Sequence, residues 1–331
     1  MAREIKARGA EEKSPLLPCT PAPSMIFSPS KWLGLSIGLT ALALIGASDF
    51  FLLPVARANF PSWLTFLILC WLIASVPLVI WLGYRCYALA RARYVVTRNA
   101  LVVQWGFRRE LIPMGLLGEV RAGTEAEGDS GLALRPREVT WPGYFAGQAN
   151  IESLGEVEFL ASTGRQAGLV LVSYPDGWLA LSPSDPQAFI SAIAERRAEG
   201  AVEEIEPESV LPALPYWALW RDRLALALIV LGGASVLLLT GYLTLIYPQL
   251  PPQFALHFNP QGQPDRFGPP TGLFLLPVIA GVAWMLNTLG GIWLHLRGDE
   301  RAGAYLLFGA TVFVQALVWV AAIGLLTAGR A

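Results

Sequence analysis

The sequence predicts an α-helical integral membrane protein of five spans, with a β-rich domain inserted after the second span and closed by a C-terminal helix. Three observations predict it. The 331-residue chain is 54% hydrophobic and 15% charged, whereas soluble domains run near 45–50% apolar and about 25% charged. Five runs reach the roughly 20 apolar residues that a helix needs to cross hydrocarbon with every backbone group paired. Residues 91–200 break that pattern with short β-branched and aromatic runs bounded by turn formers.

The five runs are Trp32–Pro54, Trp63–Tyr84, Leu224–Tyr247, Gly272–Leu296 and Gly303–Leu326, and none carries Lys or Arg in its core. Trp32, Trp63, Tyr84, Tyr247 and Trp293 stand near their ends, where amphipathic rings favour the headgroup region. Basic residues alternate in phase with the spans. Arg3, Lys6, Arg8, Lys13 and Lys31 precede the first; Arg85, Arg91, Arg93 and Arg98 follow the second; Arg221 and Arg223 precede the third; Arg297 and Arg301 follow the fourth. The opposite segments hold only Arg57, Arg266 and Arg330. Positive charge stays cytoplasmic, so the N-terminus and the insert are expected in the cytoplasm and the C-terminus outside. Residues 1–31 read as a polar tail, too long and polar for the lead-in of a cleavable signal.

Within the insert, residues 94–105 read as two strands around a turn at Arg98-Asn99, and residues 106–112 extend the pattern. Further strands are expected at 156–161, 168–173 and 178–181, separated by Gly164 and by Pro175-Asp176-Gly177. Residues 182–197 read as one helix with Ser184 as N-cap, Pro186 in the first turn and Phe189, Ile190 and Ile193 on one face. The acidic run Glu199–Glu208, followed by Pro212 and Pro215, reads as a solvated linker over 201–222, leading to a three-helix membrane domain at 223–327 with an outer loop at 248–270.

Tyr94-Val-Val-Thr97, Leu101-Val-Val103, Ile112-Pro113 and Gly118-Glu-Val120 resemble the start of the bacterial pleckstrin-homology-like domains. Trp141-Pro-Gly143 and Ser182-Pro-Ser-Asp-Pro186 with Phe189 resemble one branch of that group. The resemblance implies a PH-like fold over 91–200. Residues 91–208 hold no Lys, and eleven Arg stand against seventeen acidic residues. The local basic concentration is Arg91, Arg93, Arg98, Arg108 and Arg109, which are the candidates for contact with lipid headgroups as juxtamembrane anchors. A protein-interaction or self-association module is the more economical reading of so acidic a domain.

The outer loop, LPPQFALHFNPQGQPDRFG from Leu250 to Gly268, is dense in turn formers and is expected to be stiff. His257, Asn259 and Asp265 are expected to hydrogen-bond within it, and Phe254, Phe258 and Phe267 to anchor it on the membrane surface. Leu250, Pro251, His257, Phe258, Asn259, Gly262, Pro264 and Asp265 resemble the signature of a bacterial membrane domain of unknown function. That domain also occurs in the sporulation-delay-protein immunity family, whose members are implicated in toxin immunity and signalling. One His and one Asp fall short of the three or four ligands a zinc site requires, so no metal is expected.

Within the spans the polar candidates are Asp49, expected near the outer boundary, and Asn287 and Gln315, placed for interhelical hydrogen bonds. Gly232-Gly233 and Gly290-Gly291 are expected to allow close helix approach, and Pro77 and Pro277 to kink their helices. The sequence holds no Gly-x-Ser-x-Gly, phosphate-loop or His-Glu-x-x-His motif, two His and three scattered Cys (Cys19, Cys70 and Cys86). No catalytic residue, cofactor or disulfide framework is expected. The net charge of −1 gives no overall basic field for nucleic acid. The reading is a non-enzymatic membrane module, with the bilayer and a protein partner or a second copy as its contacts; the resemblances to bacterial domains imply a bacterial plasma membrane. The alternative is a small-solute transporter or an immunity- or signalling-type membrane protein regulated by the PH-like domain.

Overall fold

A computed structural model describes residues 24–125, 136–151, 154–175, 177–201, 206–210, 218–259, 261, 263–297 and 301–328. Strand β1 (Met25–Phe27) leads into helices α1 (Trp32–Ala58) and α2 (Trp63–Arg91). Then come β2 (Arg93–Val96), β3 (Ala100–Trp105), β4 (Arg108–Pro113), β5 (Val120–Ala122), β6 (Phe145–Ile151), β7 (Gly155–Ala161), β8 (Val170–Tyr174), β9 (Gly177–Leu181), α3 (Pro186–Glu199) and β10 (Glu208–Val210). The chain continues through α4 (Arg223–Ile246), β11 (Phe254–Phe258), β12 (Pro264–Gly268), α5 (Leu275–Leu296) and α6 (Arg301–Ala328). Helices α1, α2, α4, α5 and α6 are long and apolar enough to cross a membrane, and the described parts divide into two compact units.

The first unit holds the described residues up to Gly34 together with Leu89–Val210. Two five-stranded sheets build it, in the orders β1-β2-β3-β4-β10 and β5-β8-β9-β7-β6. All pairs are antiparallel except β7 with β9. Period-two patterning sets the faces: Tyr94 and Val96 point inward on β2 while Arg93 is exposed, and Leu101, Val103 and Trp105 point inward on β3. Phe159, Leu171, Leu179 and Leu181 complete a fully buried core, each large apolar side chain contributing about 1.5–3 kcal/mol. Helix α3 closes it with Phe189, Ala192, Ile193 and Arg196 buried at helical spacing.

Several expectations change here. The N-cap of α3 is Asp185, whose carboxylate accepts from the Ala188 N–H at 2.9 Å, while the Ser184 N–H donates to Ser28 O instead. The segment read as a polar tail supplies β1, and the acidic linker supplies β10, which pairs with β4. Strands β5 and β6 arise where none was expected.

The second unit holds Leu35–Ala88 and the described residues from Ala218 onward. Its helices extend past the runs read from sequence, α1 to Ala58 and α2 to Arg91. Helices α4, α5 and α6 pack around Leu239, Leu243, Leu273, Ala280, Val318 and Ala322. The paired glycines admit aromatic rings: a Cβ on Gly232 would lie 2.7 Å from the Trp284 ring, and one on Gly291 would lie 2.2 Å from Phe308. Trp284 Nε1 donates to Ile229 O at 2.9 Å, pinning α5 to α4. Pro277 sits in the first turn of α5, where no N–H is needed, rather than at an internal kink; Pro77 lies inside α2.

Candidate functional site

In the segment between α4 and α5, β11 pairs with β12 as a β-hairpin, with irregular register at Ala255–Phe258. The pairing brings His257 and Asp265 together, with Nδ1 and Oδ1 2.6 Å apart and both side chains exposed. Asn259 Oδ1 accepts from the backbone N–H of Gln261 and of Gln263, at 3.0 and 2.8 Å, and fixes the tip. Pro264 lies opposite Phe258, and Leu250 packs against the α4–α6 core, its N–H donating to Tyr247 O after the turn that Pro251 follows. Gly262 lies outside the described residues. Phe254 is fully buried in the helical core rather than laid on a membrane surface, because β11 runs against α6 and the turn before α5; Phe267 is exposed. Among the described residues no third metal-ligating side chain joins the His257–Asp265 pair.

Polar groups within the spans tie helix to helix. Asp49 on α1 accepts from Trp71 Nε1 at 2.9 Å and from Ser75 Oγ at 2.8 Å, both on α2, so each of its oxygens has a donor. Gln315 on α6 donates from Nε2 to Ala280 O of α5 at 3.0 Å, and its Oε1 is buried with no partner among the described residues. Asn287 is half-buried on α5.

A third cluster escaped the sequence reading. Asp222 caps α4, its Oδ1 accepting from the Ala225 N–H at 3.0 Å. Its Oδ2 accepts from His295 Nε2, at 3.0 Å on the last turn of α5, and from the Tyr305 hydroxyl on the first turns of α6. One carboxylate thus clasps the ends of three helices. His295 is buried, and its Nδ1 has no partner among the described residues. The Asp before the apolar run announces the cap; the approach of His295 and Tyr305 needs the folded bundle. The Tyr305 hydroxyl above all, then the Ala225 amide and His295, hold the Asp222 carboxyl well below the usual carboxylate range. A depressed carboxylate stabilises the fold above its unfolded pKa, and that contribution is lost as pH falls toward the folded value. The thermal midpoint of detergent-solubilised wild type is therefore expected to exceed that of Asp222→Asn at neutral pH. The gap should narrow as pH falls from about 5 to 3. A gap that is constant with pH would contradict the clasp.

The basic candidates do not form one cluster of unpaired charges. Arg108 lies between Glu110, at 2.6 Å, and Glu158, all three largely buried. Burial works against its charge, and the two carboxylates more than offset that, holding the guanidinium above its ordinary pKa. Arg98 donates to Glu199 O and Gly200 O at the end of α3, and Arg93 to Gln104 across β2–β3. Arg91 ends α2, and Arg109 is exposed on β4. At the centre of the core, the Tyr94 hydroxyl donates to Leu160 O at 2.6 Å and accepts from the Ser182 N–H at 3.3 Å; burial raises its pKa above the ordinary phenol value. Strand β2 opening on Tyr94, the sheets around it and helix α3 closing over it at Phe189 are the arrangement that a family comparison can recognise.

Residues 92–197 match the bacterial PH domain. The match runs from the start of β2 to the last turn of α3, and leaves β1 and β10 outside the PH-like segment. Residues 234–281 match a domain of unknown function, DUF1648, which spans most of α4, the whole β11–β12 hairpin and the start of α5. Asp222, His295 and Tyr305 lie outside it. No curated protein and no solved structure matches the chain. The protein is thus a membrane protein in which a PH-like domain precedes a DUF1648 segment.

Proposed function

We propose that this chain is a non-enzymatic binding protein of the bacterial plasma membrane. Its PH-like body lies in the cytoplasm and docks a protein partner or a second copy, and its outer hairpin is a shaped recognition element. The observation that carries the reading is the state of Asp49. A carboxylate serving a solute path needs an oxygen open to the solute. Asp49 instead has Trp71 on one oxygen and Ser75 on the other, both from the adjacent helix, which makes it a clasp between α1 and α2. The alternating Lys and Arg of the connecting segments support the orientation. The rigid core beneath two five-stranded sheets supports a docking role, and the Asn259-pinned tip supports recognition at the outer face.

The test is made in proteoliposomes carrying a pH and ion gradient. The reconstituted protein is expected to dissipate neither, and Asp49→Asn to change only thermal stability, lowering it by about 1 kcal/mol. A flux that Asp49→Asn abolishes would replace this reading with transport. A catalysed turnover of any added substrate would replace it with an enzyme.

A further inference from the structure

The helical unit contains a small cavity lined by four hydroxyls. Its volume is about 10 Å³, the room of a single water-sized body. Ser62, just before α2, and Thr65, in the first turn of α2, line it together with Thr240 and Thr244 from the last two turns of α4. Phe66 and Phe274 wall it. Gly241 lets α4 close on Phe66, since a Cβ there would stand 3.0 Å from the ring. Thr65 and Thr244 are both more than nine-tenths buried.

All four hydroxyl protons are already spent. Thr240 donates to Val236 O and Thr244 to Thr240 O, each at 2.8 Å. Thr65 donates to Ala56 O at 3.1 Å, so the proton between Ser62 and Thr65, whose oxygens lie 3.2 Å apart, is that of Ser62. Ser62 Oγ also takes the Thr65 N–H at 3.2 Å, which removes a main-chain donor at the start of α2. Among the described residues nothing donates to Thr240 Oγ1 or Thr244 Oγ1. The four hydroxyls therefore have lone pairs to offer and no protons. A water among them would donate twice and leave its own lone pairs bare. A cation has no such need, and it sheds its hydration shell where several oxygens replace it. The negative end of the α4 dipole lies on the same side of the charge balance. Among the described residues no carboxylate lines the cavity, which disfavours divalent ions, whose sites use ionised oxygens.

We propose that this cavity holds one alkali cation, sodium or potassium, stripped of water and bound by the hydroxyl oxygens of Ser62, Thr65, Thr240 and Thr244, so that it ties the start of α2 to the end of α4. The site shares no residue with the Asp49 clasp, and it stands whichever side of the membrane this end faces.

The experiment is a thermal-shift titration of the full-length protein in neutral detergent with sodium, potassium and calcium chlorides, at constant ionic strength balanced with choline chloride. Sodium or potassium is expected to raise the midpoint saturably, because an ion that binds only the folded chain stabilises it; calcium is expected to have no such effect. Thr244→Val keeps the shape and removes the oxygen, and it is expected to weaken the cation at least tenfold, as is Thr240→Val. Thr244→Ser is expected to retain most of the affinity. Thr311→Val removes another buried threonine that bonds back to its own helix, on α6, and is expected to leave the affinity unchanged. A midpoint that sodium and potassium leave where choline leaves it would overturn the site. Calcium binding more tightly than either would overturn the assignment to an alkali cation. A cation affinity untouched by both Thr240→Val and Thr244→Val would place the ion elsewhere and overturn the site as well.

Discussion

Arg108→Ala is expected to be the most damaging single substitution in the β-rich body, lowering its stability by about 3–5 kcal/mol. Arg108 is 13% exposed, and its two partners Glu110 and Glu158 are 11% and 18% exposed. Removing the guanidinium takes from Glu110 and Glu158, both largely away from water, the charge and the hydrogen bonds that Arg108 gives them. On a domain of this size the loss lowers the midpoint of the body's thermal transition by on the order of 10 °C or more. The triad itself is weak evidence of net stabilisation, since desolvating three charges opposes their attraction. Replacing Arg108, Glu110 and Glu158 together by Met, Leu and Leu is therefore expected to recover stability to within about 1 kcal/mol of wild type. A shift below about 3 °C for Arg108→Ala would show that the triad is solvated.

The second large effect is expected at Gly143. Its φ of +91° is a left-handed conformation that side chains resist, and a Cβ there would stand 2.1 Å from the Gly34 nitrogen and 2.5 Å from its Cα. Both obstacles are backbone, so no rotamer change relieves them. Gly34 O in turn accepts from Trp141 Nε1 at 3.1 Å, and Trp141 stacks on Tyr144 at 4.4 Å between ring centroids. Gly143→Ala therefore separates the Trp141–Tyr144 turn from the start of α1 and is expected to cost about 2–4 kcal/mol. Gly155 supplies the control: its φ is +77°, but nothing lies within 4 Å of a Cβ there. Gly155→Ala carries backbone strain alone and is expected to cost about 1 kcal/mol. Thermal midpoints of the two variants check this, and equal losses would mean that the approach to Gly34 carries no weight.

What was legible in the sequence was whatever lies in one continuous run. Five spans are visible as apolar stretches of membrane length, and β2, β3, β7 and β9 as alternating or β-branched runs between turn formers. The hidden strands lack that signature. β1 is three residues at the edge of a polar segment, and β10 is three residues in an acidic one; both take their place by completing the edges of the sheet around β2–β4. β6 reads FAGQANI, with a single β-branched residue, and is held by β7 along its whole length. The β11–β12 hairpin was masked by the density of Pro and Gly that also shapes it. Side-chain partners were the least legible. Glu158 lies fifty residues from Arg108, and Asp222 lies seventy-three from His295 and eighty-three from Tyr305. Only the fold brings such groups within bonding distance, so Arg108 reads in sequence as a basic anchor.

The account stands on helices holding the chain in a bilayer while the β-rich body faces the side where Arg and Lys gather. Labelling with a membrane-impermeant maleimide tests it most directly, in a background where Cys19, Cys70 and Cys86 are replaced by alanine. Asn150→Cys on β6 and Gln261→Cys at the hairpin tip are both exposed positions. Asn150→Cys is expected to react only in inverted membrane vesicles, and Gln261→Cys only in intact cells. Reaction of both from the same side, or of Asn150→Cys from outside intact cells, would contradict the account.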